Sequence, residues 1–76
     1  MTQEAQLEEA KKRVGEMVKR LREERNWSQV QLGAMIGVDG GRISRIESGA
    51  YNIQLETLVR LANAFGVALD IQFIRL

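Results

Sequence analysis

Residues 29–48, QVQLGAMIGVDGGRISRIES, carry the pattern that decides the fold of this chain. Two short helical patterns meet there at Gly37, where a tight or left-handed turn needs a residue without Cβ. Gly33 leaves room for a close approach between the two helices. The apolar positions recur at spacings of three and four residues and are Leu32, Ile36, Ile43 and Ile46. Together these features predict a helix-turn-helix, two helices at a steep angle joined by a few residues.

Capping residues predict where both helices of the motif begin. Ser28 can accept a hydrogen bond from the first turn, and Gln31 three residues later can complete a capping box. Trp27 is expected to pack against Leu32 as a hydrophobic staple; the alternative is an exposed aromatic residue used in binding. Asp39 suits the start of the second helix, because its carboxylate accepts free N–H groups and favours the positive end of the helix dipole.

A longer helical pattern, Val14–Arg25, precedes the motif. Gly15 weakens a helix by about 1 kcal/mol relative to alanine, so the regular helix is expected to begin there. Residues 1–13 are polar, with a favourable Glu8–Lys12 spacing, and are predicted to be a frayed extension of this helix. An alternative is a short coiled-coil contact with a partner along Leu7, Val14 and Leu21, which stand at heptad spacing.

The second helix of the motif has an outer face of small residues and arginine. This face is opposite the apolar positions and consists of Gly40, Gly41, Ser44, Arg45 and Ser48. Such a face can lie against a rigid, negatively charged surface, although a solvated face is the plain alternative. The surrounding motif favours DNA, since helices of this kind enter the major groove.

After the motif, the spacing of apolar residues is first that of a helix and then that of a strand. Gly49 suits the end of the second motif helix, and Asn52 is expected to cap a fourth helix that Gly66 terminates. The stripe of that helix is Leu55, Leu58, Val59, Ala62 and Phe65. Then apolar and polar residues alternate, which predicts a strand with Leu69, Ile71 and Phe73 on one face.

That strand has no partner strand within the chain. Unpaired backbone donors and acceptors are costly, so the same strand from a second copy, antiparallel across a two-fold axis, is the simplest partner. A continuing helix or a tail packed on the core are the alternatives. The predicted organisation is therefore an N-terminal extension at residues 1–13, a DNA-binding domain at 14–66 and a dimerisation strand at 67–76.

Composition excludes several classes of protein. The chain has 76 residues, 45% hydrophobic and 28% charged, without cysteine or histidine. Disulfides, thiol or histidine catalysis and almost every zinc site are thereby excluded, and neither an enzyme nor a cofactor or metal is expected. No apolar run reaches membrane-span length, and the polar, acidic N-terminus is not expected to act as a signal peptide, so a cytoplasmic location is expected. The net charge of +1 means that DNA binding must depend on where the charges lie.

The chain resembles the lambda-repressor-like, or Xre-type, helix-turn-helix family of phage and bacterial regulators over about residues 14–69. The segments that carry the resemblance are LREERNWSQVQLGAMIGV, ISRIESG and LETLVRLANAFGV. The C-terminal LDIQFI is similar to the dimerising strand of HipB-type antitoxins in that family. The resemblance implies that Gln29 contacts a phosphate and that residues 40, 41, 44 and 45 face base edges. It also implies a semi-buried pair between Arg22 and Glu47.

The resemblance has two departures. Gly40 and Gly41 stand where the family usually has longer polar side chains, and Ile53 replaces the proline before the fourth helix. The resulting prediction is an all-α domain of four to five helices, with a C-terminal β-strand pairing across a homodimer. Its DNA-binding residues would be Gln29, Gly40, Gly41, Arg42, Ser44, Arg45 and Asn52.

The predicted function is that of a transcriptional repressor. The dimer would bind two half-sites on double-stranded DNA with sequence specificity, and their centres would lie about 34 Å apart. Arg45 is the residue expected to contact guanine. One alternative is the antitoxin of a toxin–antitoxin pair, which binds a toxin protein and represses its own operon. Another is a protein-interaction module that has lost specific DNA reading through its two glycines.

Overall fold

A computed structural model describes residues 1–76 as four helices without a strand. They are α1 (Gln3–Glu24), α2 (Gln29–Ile36), α3 (Gly40–Glu47) and α4 (Leu55–Phe65). The predicted all-helical fold is therefore confirmed. Residues 67–76 form neither helix nor strand in the single chain, so the predicted C-terminal strand is not part of the monomer fold. None of the helices combines the length and apolarity needed to span a membrane.

The core lies where α2 and α3 pack on each other and on α1 and α4. Leu32 and Ile43, one from each helix of the motif, have no accessible surface. Burial of an aliphatic side chain of this size contributes about 1.5–3 kcal/mol, so this pair helps to hold the two helices of the motif together. The other core residues are Val18, Ile36, Ile46, Leu61 and Phe65.

The predicted caps of the motif helices are present. The Ser28 hydroxyl accepts from the Gln31 amide at 3.0 Å, and the Gln31 side chain accepts from the Ser28 amide at 2.7 Å. Asp39 accepts from the Arg42 amide at 2.7 Å. Gly37 between the helices has φ +80°, which confirms the left-handed turn. The motif is thus built by local hydrogen bonds that its sequence specifies.

The start of α1 differs from the prediction. The helix begins at Gln3, where the Thr2 hydroxyl accepts from the Ala5 amide, and it continues through Gly15 without a break. A Cβ on Gly15 would lie 2.6 Å from the Glu47 carbonyl oxygen, so glycine is needed where α1 crosses the end of α3. On the extension, the expected Glu8–Lys12 pair is replaced by a Glu8–Lys11 ion pair of 2.8 Å.

The predicted Asn52 cap of α4 is wrong. The helix begins at Leu55 and its N-cap residue is Gln54, whose side chain makes no capping hydrogen bond. Asn52 stands two residues before that N-cap and is exposed. Ile53 instead packs against the core, which anchors this loop by burial and not by a cap. Gly66 ends α4 in the left-handed conformation, as predicted.

Candidate nucleic-acid interface

The exposed face of α3 is narrower than its sequence predicts. Gly41, Ser44, Arg45 and Ser48 are exposed on the side opposite Ile43 and Ile46. Gly40 is half-buried, and a Cβ on it would lie 2.9 Å from Cγ2 and 3.3 Å from the amide nitrogen of Val30. Gly40 therefore faces α2, and its missing side chain lets the two helices of the motif approach. A Cβ on Gly41 would meet only the Asp39 carboxylate, at 3.3 Å.

Both arginines of α3 lie against one aromatic ring. Cζ of Arg42 is 5.0 Å and Cζ of Arg45 is 5.8 Å from the ring centroid of Tyr51, in the loop between α3 and α4. These are cation–π distances. Neither guanidinium is engaged in a salt bridge. Arg42, Arg45 and Tyr51 form a group, named the arginine cluster, which places one cation on the exposed face of α3 and a second next to it.

Sequence reasoning identified the two arginines of this cluster but missed Tyr51. The available signal was a lone aromatic residue in the otherwise small and polar segment Ser48–Asn52. Asn52, a predicted DNA-binding residue, is adjacent to the cluster in the chain and exposed.

The other side of α3 is braced by an ion pair. Arg22 donates through Nε to Oε2 of Glu47 at 2.6 Å and through Nη2 to Oε1 at 3.1 Å. Its Nη1 donates to the backbone carbonyl of Trp27 at 2.7 Å. The side chains are 12% and 4% exposed. The hydrogen bond to Glu47 raises the pKa of Arg22 above its ordinary value, although burial acts in the opposite direction. The Arg22 guanidinium is therefore charged in this pair.

Gln29 joins this brace to the candidate DNA surface. Gln29 is the first residue of α2, and its Nε2 donates to Oε1 of Glu47 at 3.1 Å. This hydrogen bond orients the carboxamide. An open polar cleft of about 330 Å³ lies between α1 and α3 and is lined by Lys19, Arg22, Gln29, Ser44, Glu47 and Ser48. The structure thus brings Gln29 and Ser44 together in one polar cleft, whereas the arginine cluster forms a separate cationic region.

This arrangement defines a class of protein: a helix-turn-helix domain whose second helix has an exposed outer face without acidic side chains and carries two arginines that form no salt bridge. No group of three or more potential metal-ligating side chains is present.

Comparisons with known proteins agree with that class. The helix-turn-helix family model matches residues 18–72, and the chain belongs to this family, in its Xre-type or lambda-repressor-like branch. Membership of this family supports a function as a DNA-binding transcriptional regulator. The restriction-modification controller protein C.AhdI from Aeromonas hydrophila has a similar fold, with a TM-score of 0.76 and 24% sequence identity over 80% of this chain and 88% of that chain. Among curated proteins, no sequence matches this chain.

Proposed function

We propose that this protein is a homodimeric repressor that binds a two-part site on double-stranded DNA with sequence specificity. The observation that carries the proposal is the exposed outer face of α3, with Arg45 on it and Arg42 next to it, both free of salt bridges. Unpaired guanidinium groups are the donors best suited to phosphates and to guanine. The helix is capped at its start by Asp39 and is held at its end by the Arg22–Glu47 pair.

In the proposed complex α3 lies in the major groove. Arg45, exposed on the outer face, is assigned to a guanine edge, and Ser44 to a neighbouring base. Gly41 allows the backbone to approach the bases closely. The phosphate contacts are assigned to Gln29 on one side of α3 and to Arg42 and Asn52 on the other. Gly40 is assigned a packing role against α2, because its Cβ direction points at Val30 and not toward the groove.

The proposed dimer uses the C-terminal segment. An open apolar groove of about 290 Å³ lies between α1, α4 and residues 67–70, and Phe73 beyond it is fully exposed. Leu69 and Ile71, the other members of the predicted strand face, are also exposed in the single chain. Exposed apolar side chains on a segment with unpaired backbone groups favour a partner that covers them. Antiparallel pairing of two copies would cover this segment. Two half-sites one helical turn apart require the α3 helices of such a dimer to lie about 34 Å apart.

The DNA part of this proposal is tested by selecting a preferred duplex from random sequences and then titrating variants on matched and single-mismatch duplexes. We expect Arg45→Ala to cost about 1–3 kcal/mol on the preferred duplex and to abolish discrimination at one base position. Gln29→Ala should weaken binding to all duplexes equally, because phosphate contacts carry no sequence information directly. Arg60→Ala, on the exposed side of α4, serves as the matched charge control and should change little. Equal losses on every duplex for Arg45→Ala would refute base reading by that residue.

A second candidate function is that of an antitoxin. The full exposure of Phe73 and Leu76 favours it, since a toxin protein could cover the segment in place of a second copy. Co-expression with the product of the adjacent gene, followed by light scattering, separates the two. A complex of defined stoichiometry that is lost when Phe73 is changed to aspartate would support the antitoxin, and a homodimer alone would support the repressor.

A further inference from the structure

Tyr51 occupies a position between the hydrophobic core and the candidate DNA surface. Its ring is half-buried and packs against the core, while the guanidinium groups of Arg42 and Arg45 lie 5.0 Å and 5.8 Å from its centroid. The ring is therefore fixed by the core on one side and is available to cations on the other. Both cations belong to α3, so one ring outside the helix lies within cation–π distance of both of its positive charges.

The two arginines differ in how they use the ring. Arg45 is exposed, whereas Arg42 is half-buried and its Nε is a buried donor without a hydrogen-bond partner. A buried N–H group without an oxygen acceptor is costly, and an aromatic face compensates for it only in part. No carboxylate forms a salt bridge with Arg42, and the Tyr51 ring is its cation–π partner.

We propose that Tyr51 is a positioning residue that orients Arg42 and Arg45 for DNA contact and thereby increases sequence discrimination. The proposal rests on the proposed DNA-binding function. Arginine has many rotamers, and ordering it at the moment of binding weakens the complex. A ring that already restricts both side chains in the free protein removes part of that cost. It also keeps Arg45 on the outer face, so that this side chain does not bind the nearest phosphate indiscriminately.

The test compares ring-retaining and ring-free variants. Tyr51→Phe keeps the aromatic face, whereas Tyr51→Leu keeps apolar bulk without it; Tyr51→Met is a second ring-free variant in case Tyr51→Leu does not fold. Ile53→Ala is the matched control, because Ile53 packs against the core from the same loop without contacting either arginine through a ring. Circular dichroism establishes which variants are folded.

Two readouts separate positioning from packing. In the free protein, NMR relaxation of the arginine Nε–Hε groups should show increased mobility for Arg42 and Arg45 in the ring-free variants only. In titrations, Tyr51→Phe should match the unmodified protein, and the ring-free variants should lose about tenfold in affinity for the preferred duplex. The ratio of their affinities for matched and mismatched duplexes should also decrease. In the Arg45→Ala background that loss of ratio should vanish.

The outcomes distinguish this proposal from the one on which it rests. If the unmodified protein shows no preference among duplexes, the proposed function fails. If that preference exists and the ring-free variants keep it, with arginine mobility unchanged, Tyr51 is a packing residue only. Equal effects of Ile53→Ala and Tyr51→Leu on the matched-to-mismatched ratio would also overturn the positioning role.

Discussion

Glu47 shows how much a single side chain can connect in this domain. Its two carboxylate oxygens accept hydrogen bonds from Nε and Nη2 of Arg22 and from Nε2 of Gln29. One residue at the end of α3 thus holds α1 and the start of α2. Since Glu47 is 4% exposed, removing it would leave the Arg22 guanidinium poorly hydrated and without its anionic partner.

We expect Glu47→Ala to lower the free energy of unfolding by about 2 kcal/mol or more, because breaking one side of a buried pair typically costs about 3–5 kcal/mol and Arg22 keeps some contact with water. Glu9→Ala is the matched control. Glu9 also pairs with an arginine, Arg13, but those side chains are 48% and 72% exposed, and such pairs contribute only about 0–1 kcal/mol. Chemical denaturation measures both variants. Equal shifts of the two midpoints would show that the brace contributes no more than a surface pair.

At the residue scale, the features that the sequence predicted correctly are those that depend on local hydrogen bonds. Ser28, Asp39 and Gly37 have the predicted roles because a cap or a turn involves only neighbours within about three residues. Tyr51 was missed because its partners, Arg42 and Arg45, lie on a helix whose relation to the loop depends on the tertiary fold. The face of Gly40 was misassigned for the same reason, since only packing against Val30 distinguishes it from Gly41.

At the scale of helices, the crossing of α1 over the end of α3 depends on Gly15. Glycine inside a helix costs about 1 kcal/mol relative to alanine, and for this reason the predicted start of the helix, at Gly15, lies later than the observed start at Gln3. The structure shows what offsets it: without a Cβ, α1 approaches the carbonyl groups of Ile46 and Glu47 closely. The extension before Gly15 is helical because α1 has its own cap at Thr2 and pairs such as Glu8–Lys11 along its surface.

Gly15→Ala should therefore destabilise the protein although alanine is the better helix former. Its Cβ would meet backbone carbonyls that cannot rotate away, so we expect a net loss of about 1–3 kcal/mol. The neighbouring change Glu16→Ala is exposed on the same helix and should stay within about 0.5 kcal/mol of the unmodified protein. Thermal unfolding of both variants is the measurement. A stabilised Gly15→Ala would mean that α1 does not cross α3 at this point.

At the scale of the whole molecule, the C-terminal segment is where the single chain is incomplete. The alternation of Leu69, Ile71 and Phe73 predicts a strand, yet a strand requires hydrogen bonds from a neighbour, and the four helices offer no edge. A single chain therefore leaves these residues without regular structure, whatever they do in an assembly. Hydrophobic periodicity can predict that a segment will be covered on one face, but it does not identify the partner.

A pair of neighbouring substitutions tests the proposed strand. Phe73 is fully exposed and Ile74 is 80% exposed in the single chain, so neither change to aspartate should disturb the helices. In a paired strand their side chains point to opposite faces. Phe73→Asp would then place a charge in the apolar interface with Leu69 and Ile71, whereas Ile74→Asp would place one in solvent.

We expect Phe73→Asp to be a monomer with helical content unchanged, and Ile74→Asp to remain a dimer, as measured by sedimentation and circular dichroism. The monomer should also bind the preferred duplex much more weakly, because it loses the effective concentration of about millimolar that tethering gives the second α3. Dimerisation of both variants would place the interface on another surface, with Leu7, Val14 and Leu21 of α1 as the first alternative to substitute. Loss of the dimer in both variants would indicate a C-terminal interface without strand alternation, in which both faces of the segment are buried.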